Sequence, residues 1–161
     1  MGSEIIQGLN SYLTFQLGEE KFAVNIGHVK KILEKTDTTK VPNVPDYYKG
    51  VVNLFGDVLP VICARRKFSM DEAEYTDKTC IIVLMLTYEE ESFSVGFIVD
   101  QVHQVMVINE DQMKPTPGLG KGQQHEFIKS IANVKDEFII VLDVEKLFNA
   151  SDLELINPIE S

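Results

Sequence analysis

An internal repeat constrains the fold of this chain more than any other feature of its sequence. When the chain is shifted by 80 residues, residues 49–68 fall over residues 129–148 and their apolar positions coincide. Four positions in this comparison are identical: Lys49 and Lys129, Asn53 and Asn133, Val61 and Val141, and Phe68 and Phe148. Identities in register predict that the two segments form the same structure.

A second block, upstream of the first, repeats in the same order. Residues 22–26 match residues 93–97 at a shift of 71, with an apolar residue at every second position. Val29 and Ile32 then match Val102 and Val105 at a shift of 73. Apolar strands of one length often look alike, but two matched blocks in one order favour a duplication. We therefore predict two similar units, at about residues 12–70 and 79–148.

The first unit contains the clearest hairpin signal. Two apolar runs, residues 51–55 and 58–62, flank the dipeptide Gly56-Asp57. Glycine at the first turn position tolerates a positive φ, which predicts a type II′ turn. Pro60 has no N–H to donate to a neighbouring strand, so we expect it at a sheet edge or a bulge.

The predicted fold is all-β, with few short helices. Many short apolar runs separated by turns favour small barrels over open sheets. Residues 29–33 fit either a strand or a short helical turn. We expect a flexible N-terminus over residues 1–11, and a C-terminal turn at 151–156, N-capped by Ser151 and packing back onto a domain that spans 12–158.

The charge of the chain disfavours two classes of partner. Lys and Arg number 15 against 25 Asp and Glu, which gives a net charge of −10. Such a charge opposes binding to nucleic acid and to anionic membranes. The sequence has no apolar run of about 18 residues, the length that spans a bilayer, and no N-terminal signal. We therefore expect a cytoplasmic protein whose cysteines, Cys63 and Cys80, are reduced.

No group of residues has the spacing of a catalytic or metal site. His28, His103 and His125 are not joined by the short spacings that bind zinc. The glycine-rich segment 118–122 lacks the spacing and the final Ser or Thr of a phosphate-binding loop. Cys63 or Cys80 as a nucleophile would need a base and a cationic setting, and the sequence suggests neither. We predict a binding protein, with no catalysis, no cofactor and no metal.

Several motifs resemble one known family. They are Gly50-Val51-Val52-Asn53-Leu54-x-Gly56, Pro60-Val61-Ile62 followed by Arg65, Gly18-Glu19-Glu20-x-Phe22, and Val99-Asp100-x-Val102. Together with the paired β-units, these motifs resemble the chemotaxis coupling proteins, the CheW-like domain family, over residues 12–156. The resemblance implies two five-stranded SH3-like barrels that flank a shared hydrophobic core.

The same resemblance implies a function. Members are standalone adaptors that link the cytoplasmic tips of methyl-accepting chemoreceptors to the regulatory domain of the chemotaxis histidine kinase, in arrays at the membrane. The receptor-binding groove is expected at Val29, Thr79, Cys80, Val102 and Val105. The signature that couples kinase and receptor is expected at Lys31, Gly50, Asn53, Phe55, Gly56 and Arg65. Val102 and Val105 also fit a purely structural role in the core.

Two departures from the family pattern affect this signature. The family usually has Val-x-Glu-Ile and Asn-Leu-Arg-Gly, whereas this chain has Lys31 and Phe55 at the Glu and Arg positions. The usual Asp after Pro-Val-x is Cys63. We expect Phe55 and Lys31 to form a cation–π or amphipathic contact in place of the ion pair. The departures leave open a divergent module for a non-standard receptor or kinase, or a regulatory domain of a larger two-component assembly.

Overall fold

Strands dominate the computed structural model, which describes residues 10–115 and 127–156. The strands are β1 (Ser11–Leu17), β2 (Glu20–Asn25), β3 (Val29–Glu34), β4 (Tyr48–Leu54), β5 (Asp57–Cys63), β6 (Cys80–Tyr88), β7 (Glu91–Val99), β8 (Gln101–Val107), β9 (Met113–Lys114), β10 (Ile128–Val134) and β11 (Glu137–Leu142). The helices are α1 (Ala64–Lys67) and α2 (Ala150–Ile156), with 3-10 turns at Ile26–His28, Glu110–Gln112 and Val144–Lys146. The predicted all-β class is confirmed. Residues 1–9 of the predicted flexible terminus, segment 118–122 and His125 lie outside the described residues.

The strands form two sheets, and each sheet combines strands from both repeats. One sheet has the order β8-β1-β2-β11-β10-β9, and the other has the order β3-β6-β7-β5-β4. The hairpin β1–β2 therefore pairs with strands of the second repeat, and β6–β7 pairs with strands of the first. Because these hairpins are exchanged, the sheets do not coincide with the predicted units at 12–70 and 79–148.

The hairpins β4–β5 and β10–β11 are equivalent at the predicted shift of 80. Leu54 pairs with Asp57 in the first, and Val134 pairs with Glu137 in the second. Each hairpin also has an irregularity near the start of its first strand, at equivalent positions. The duplication found in the sequence is therefore present in the strand register.

The turn of the first hairpin lies one residue earlier than predicted. Its central residues are Phe55 and Gly56, with φ of 53° and 91°, and Asp57 already belongs to β5. Positive φ at both central positions defines a type I′ turn, so the predicted type II′ turn at Gly56-Asp57 is wrong. The equivalent residues Lys135 and Asp136 have φ of 52° and 67° and form the same turn.

The shift of 71 predicted for the upstream segments is wrong, and the structure relates them by a shift of 73. Val61 pairs in parallel with Gly96, and its equivalent Val141 pairs in parallel with Ala23. Ala23 is therefore equivalent to Gly96, and β2 shares the shift that relates β3 to β8. The error arose because alternating apolar residues repeat every two positions, so a two-residue slip preserves the pattern.

The buried apolar residues form three hydrophobic clusters, because each sheet packs side chains on both of its faces. The largest contains buried residues of both sheets, such as Phe15 on β1 and Phe97 on β7, whose ring centroids lie 6.4 Å apart. The second lies within the first sheet and contains Tyr12, Ala23, Ile108, Ala132, Ile139 and Val141. The third lies within the other sheet and contains Val52, Leu59, Val61, Ile81, Val83 and Ile98. The exchanged hairpins thus create one core between the sheets and one inside each.

The helix α2 packs on the shared core through Ile156, which is 1% exposed. Its N-terminus is capped by Asn149, whose Oδ1 accepts a hydrogen bond of 2.8 Å from the Asp152 N–H. The Asn149 N–H in turn donates to Asp152 Oδ2 at 3.3 Å. The predicted cap at Ser151 is wrong because the helix begins one residue before it, at Ala150.

Candidate partner-binding surfaces

The most exposed of the described large apolar side chains lies at the tip of the β4–β5 hairpin. Phe55 is 90% exposed, and its φ of 53° is in the left-handed region. Asn53 Oδ1 accepts a hydrogen bond of 2.8 Å from the Gly56 N–H and so closes the turn. A left-handed conformation costs a non-glycine residue about 1–2 kcal/mol. The tip therefore holds an aromatic ring in water at a backbone position that favours Asn or Gly.

Lys31 on β3 contacts this ring. Its Nζ lies 5.2 Å from the centroid of the Phe55 ring. The sequence predicts this contact in place of the family's ion pair. A cation–π contact at an exposed site contributes about 0.5–1 kcal/mol, so it offsets only part of the backbone cost at Phe55.

Equivalent positions in the two repeats expose further apolar side chains. Val58 on β5 is 58% exposed, and Phe138, 80 residues later on β11, is 69% exposed. On the third strand of each repeat, Ile32 is 45% exposed and Val105 is 52% exposed. The shift of 73 relates Ile32 to Val105. The duplicated fold therefore presents the same two apolar positions twice.

Gly50 has a structural reason to be glycine. Its φ is 138°, and a Cβ atom at this position would lie 2.2 Å from the carbonyl oxygen of Thr39. The close approach arises because Thr39 pairs with Val51 next to it, through two backbone hydrogen bonds of 2.8 and 2.9 Å. Gly50 thus lets the loop before β4 cover the edge of that strand.

Arg65 connects the exchanged parts of the chain. On α1, it donates from Nε to Asp100 Oδ1 at 2.9 Å and from Nη2 to Asp100 Oδ2 at 2.5 Å. Asp100 lies where the chain crosses between the sheets, from β7 to β8. Its Oδ2 also accepts from the Gly18 N–H at 2.8 Å, and its own N–H donates to the Gln16 carbonyl at 3.1 Å. The pair therefore fixes the crossover against the β1–β2 turn.

The environment of Asp100 favours its ionised form. Burial raises the pKa of this carboxyl, but hydrogen bonds from Arg65 and from the Gly18 N–H lower it by more. The net pKa of Asp100 lies below its usual value of 3.8. The ion pair is thus intact at neutral pH.

The structure brings three of the five predicted groove residues together. Thr79 and Cys80 are neighbours at the start of β6. Burial raises the pKa of the Cys80 thiol, which therefore stays protonated and weakly nucleophilic at neutral pH. The Val102 backbone lies close enough to the Cys80 thiol to lower its pKa by a smaller amount. Cys80 and Val102 both pack against the shared core. These residues form an apolar junction between the two sheets.

The other two predicted groove residues lie farther along their strands. Val29 is opposite Leu84, four residues along β6 from Cys80, which corresponds to about 13 Å. Val29 also packs against the shared core. Val105 is opposite Leu13 and half exposed, so it is not a core residue.

A cleft of about 550 Å³ opens beside this junction. It lies between the end of β3 and the start of β6. The cleft is lined by Ile32, Leu33, Glu34, Lys35, Thr76, Asp77, Lys78, Thr79 and Cys80. Thr79 and Cys80 therefore face a concave surface, with apolar and charged residues of β3 on its other side.

Within residues 10–115 and 127–156, the structure shows no group of three His, Cys, Asp or Glu side chains arranged to hold a metal ion. His103 forms a hydrogen bond of 2.7 Å with Gln16, and His28 lies 3.8 Å from Glu145. Burial raises the pKa of the Cys63 thiol. In the same part of the chain, the longest helix has 7 residues, too few to cross a bilayer.

Comparison with known proteins identifies the family. A sequence profile of the CheW-like domain matches residues 11–152. The chain belongs to the CheW family. It is 30% identical over 148 residues to the chemotaxis protein CheW of Klebsiella aerogenes, a match that covers 92% of this chain and 87% of the relative.

Other CheW proteins match over similar lengths. The CheW of Bacillus subtilis is 29% identical over 149 residues, which is 92% of each chain. The crystal structure of the scaffolding protein TtCheW from Thermoanaerobacter tengcongensis superimposes with a TM-score of 0.77 at 27% identity, over 89% of this chain and 94% of that one. These matches confirm the predicted CheW-like fold with two β-barrel subdomains.

Sequence reasoning missed two features of these surfaces. Asp100 was noted only as part of a motif, although it is the partner of Arg65. Val58 and Phe138 were matched only as coinciding apolar positions of the repeat, although both are exposed. Their equivalence at a shift of 80 was visible in the sequence. Their exposure was not, because an apolar residue early in a strand looks the same whether or not a layer covers it.

Proposed function

We propose that this protein is a non-catalytic chemotaxis adaptor. It couples the cytoplasmic tips of methyl-accepting chemoreceptors to the regulatory domain of the chemotaxis histidine kinase. The observation that carries the proposal is the CheW-like match over residues 11–152, which includes all of the described strands. The adaptor is held in receptor arrays at the membrane by its partners.

The receptor tip binds at the junction of the two sheets. Cys80 and Val102 provide apolar surface there, Thr79 lies in the adjoining cleft, and Val29 and Val105 extend the surface along β3 and β8. A helical hairpin docks into such a groove by burying the apolar face of a helix, and affinity follows from the area buried.

The kinase regulatory domain binds at the exposed ends of the strands. Val58 and Phe138 are apolar, exposed and equivalent in the two repeats. Exposed apolar residues at repeated positions provide two separate docking surfaces on one adaptor. An adaptor needs such surfaces apart from its receptor groove, because both partners are bound at once.

Co-elution in gel filtration tests this function. The purified protein is mixed with the histidine kinase regulatory domain from the same genome, and separately with a soluble receptor-tip fragment. We expect co-elution with both. Val105→Glu places a charge on the half-exposed groove residue and is expected to weaken receptor binding at least tenfold. Thr87→Glu is the matched control, because Thr87 is an exposed strand residue on the β6–β7 hairpin.

A second candidate function is a divergent CheW-like module that serves a non-standard receptor or kinase. The contact between Lys31 and Phe55 favours this alternative, because it replaces the family's ion pair and changes the local charge. Binding of a kinase regulatory domain from another chemotaxis system of the same cell, but not of the main one, would support it. Absence of binding to any such domain would contradict both candidates.

A further inference from the structure

A polar cluster anchors helix α2 to the rest of the chain. Lys67 Nζ lies 3.2 Å from Asp152 Oδ2, and the two side chains are 18% and 15% exposed. Within the described part of the chain, this ion pair is the least exposed. Lys67 Nζ also lies 5.0 Å from the centroid of the Tyr47 ring and 5.2 Å from that of Phe148. The Tyr47 hydroxyl donates to Asp152 Oδ1, so Asp152 holds α2 through two side chains from outside the helix.

The other repeat shows what this cluster adds to the fold. The shift of 80 relates Tyr47 to Phe127, Lys67 to Leu147, and Phe148 to Phe68. Phe68 and Phe127 stack with ring centroids 4.8 Å apart, and Leu147 is 2% exposed. Three apolar residues therefore pack at the equivalent positions. The polar groups occur in the copy against which α2 docks, so we assign them to the docking of this helix.

Helix α2 depends on its docking contacts to be a helix. It has seven residues, and isolated helices shorter than about 12–15 residues are only marginally stable in water. Ile156 is 1% exposed, and Leu153 packs against the shared core, so release of the helix would expose both side chains. The segment therefore has two states, one docked and helical and the other released and unfolded.

The docked helix connects the two sheets. It follows β11 of one sheet, through the 3-10 turn Val144–Lys146. Its anchors belong to the other sheet, because Tyr47 directly precedes β4 and Lys67 ends the helix that follows β5. The Tyr47 carbonyl also accepts a hydrogen bond of 2.8 Å from the N–H of Cys63, the last residue of β5. Docking of α2 thus adds a tie between the sheets whose junction is the proposed receptor groove.

We infer that α2 is a reversible latch, anchored by Lys67 and Asp152, whose docked state holds the receptor groove in its binding form. The receptor part of this inference rests on the proposed adaptor function. Two coupled equilibria shift each other by the same factor. Receptor binding must therefore slow the opening of α2 by the factor by which full release of α2 weakens receptor binding. A variant that only damaged the fold would not obey this equality.

Amide hydrogen exchange of the full chain tests the latch without any partner. In the wild type, we expect residues 150–156 to exchange faster than β6 and β7, because α2 opens without global unfolding. Lys67→Glu places a carboxylate against Asp152 and should speed this exchange about tenfold or more. Lys67→Glu with Asp152→Lys reverses the pair and should return the rate to within about threefold of the wild type.

Glu154→Gln is the matched control for the exchange measurement. Glu154 is an exposed carboxylate on the same helix, and its amide can keep the 3.4 Å contact with the Tyr88 hydroxyl. We expect this variant to exchange at the wild-type rate. If Lys67→Glu fails to fold, Lys67→Met keeps the apolar stem, removes only the charge and decides the same question.

Calorimetric titration with a soluble receptor-tip fragment tests the coupling. Lys67→Glu should weaken binding about fivefold, although Lys67 lies outside the groove, and the reversed pair should restore it. Saturation of the wild type with the same fragment should slow the exchange of residues 150–156 by a similar factor.

Three results would overturn the inference. Exchange of α2 at the rate of β6 and β7 in the wild type would show that it does not open separately. Failure of the reversed pair to restore protection would show that Lys67 and Asp152 are not the anchor. Release of α2 in Lys67→Glu with receptor binding at wild-type strength would show that the groove does not depend on the latch. Failure of the wild type to bind the receptor tip would instead refute the proposed function, while the exchange measurement would still decide whether α2 is a latch.

Discussion

Removal of the Arg65–Asp100 ion pair is predicted to loosen the crossover between the sheets. The side chains are 20% and 31% exposed, so the pair is neither buried nor freely solvated. Exposed pairs contribute about 0–1 kcal/mol, and breaking a buried pair costs about 3–5 kcal/mol. Because the geometry is bidentate and the Gly18 N–H adds a hydrogen bond, we expect the cost of breaking this pair to lie between these two ranges. We expect Arg65→Met to lower the free energy of unfolding by about 2 kcal/mol.

A double-mutant cycle measures the interaction itself. Arg65→Met, Asp100→Asn and the double variant are compared with the wild type in urea denaturation, and we expect a coupling energy of about 1.5 kcal/mol at pH 7. In thermal unfolding, Arg65→Met should lower Tm by about 4–8 °C for a chain of this size. Glu145→Gln is the matched control. Glu145 is equivalent to Arg65 at a shift of 80, and its contact with His28 is 3.8 Å long and more exposed.

The coupling has a defined pH dependence. The pKa of Asp100 is lower in the folded state than its usual value of 3.8. The ion pair therefore adds stability above pH 3.8, and this contribution is lost as the pH falls through the folded-state pKa. A coupling energy below 0.5 kcal/mol at pH 7, or one that persists unchanged in acid, would refute the role of the pair. An effect of Glu145→Gln as large as that of Arg65→Met would do the same.

Three further perturbations test other parts of the structure. Gly50→Ala forces a Cβ atom against the loop carbonyl above it, so we expect a loss of more than 2 kcal/mol in the free energy of unfolding, measured by urea denaturation. Phe55→Arg places a second cation beside Lys31 and should weaken partner binding. The double variant Phe55→Arg with Lys31→Glu should restore it. Equal pull-down of the partners by the two variants would show that the contact between residues 31 and 55 has no role in binding. Asn149→Ala removes the cap of α2 and should lower stability by about 1 kcal/mol, while Ser151→Ala should change it by less than 0.5 kcal/mol in the same assay.

The local features of the fold were largely predictable from the sequence. The shift of 80 located the two equivalent hairpins, and it correctly predicted the equivalence of their strands. The contact between Lys31 and Phe55 followed from the charge and the aromatic ring that replace the family's ion pair. The prediction placed the turn of the first hairpin at Gly56-Asp57, one residue too late. The turn needs a positive φ at its first central residue, where Asn, Asp or Gly is usual and this chain has Phe55.

The positions of the candidate site residues were predictable only in part. The family resemblance implies one groove for Thr79, Cys80 and Val102, and these three residues lie close together in the structure; their binding role stays a prediction. Val29 and Val105 lie farther along neighbouring strands, because strand pairing sets their distance from Cys80. The exposure of Phe138 and the partner of Arg65 depend on which elements cover or approach them, and these contacts join residues far apart in the chain.

The sequence by itself determined the family, the all-β class and the duplication, since these depend on motifs and on the period of apolar residues. Only the tertiary structure decided that the two repeats exchange their first hairpins. A strand pairs equally well with either copy of a duplicated partner, because the local pattern is the same in both. The exchange is fixed instead by the shared core between the sheets and by Asp100 at the crossover, and these exist only in the folded chain.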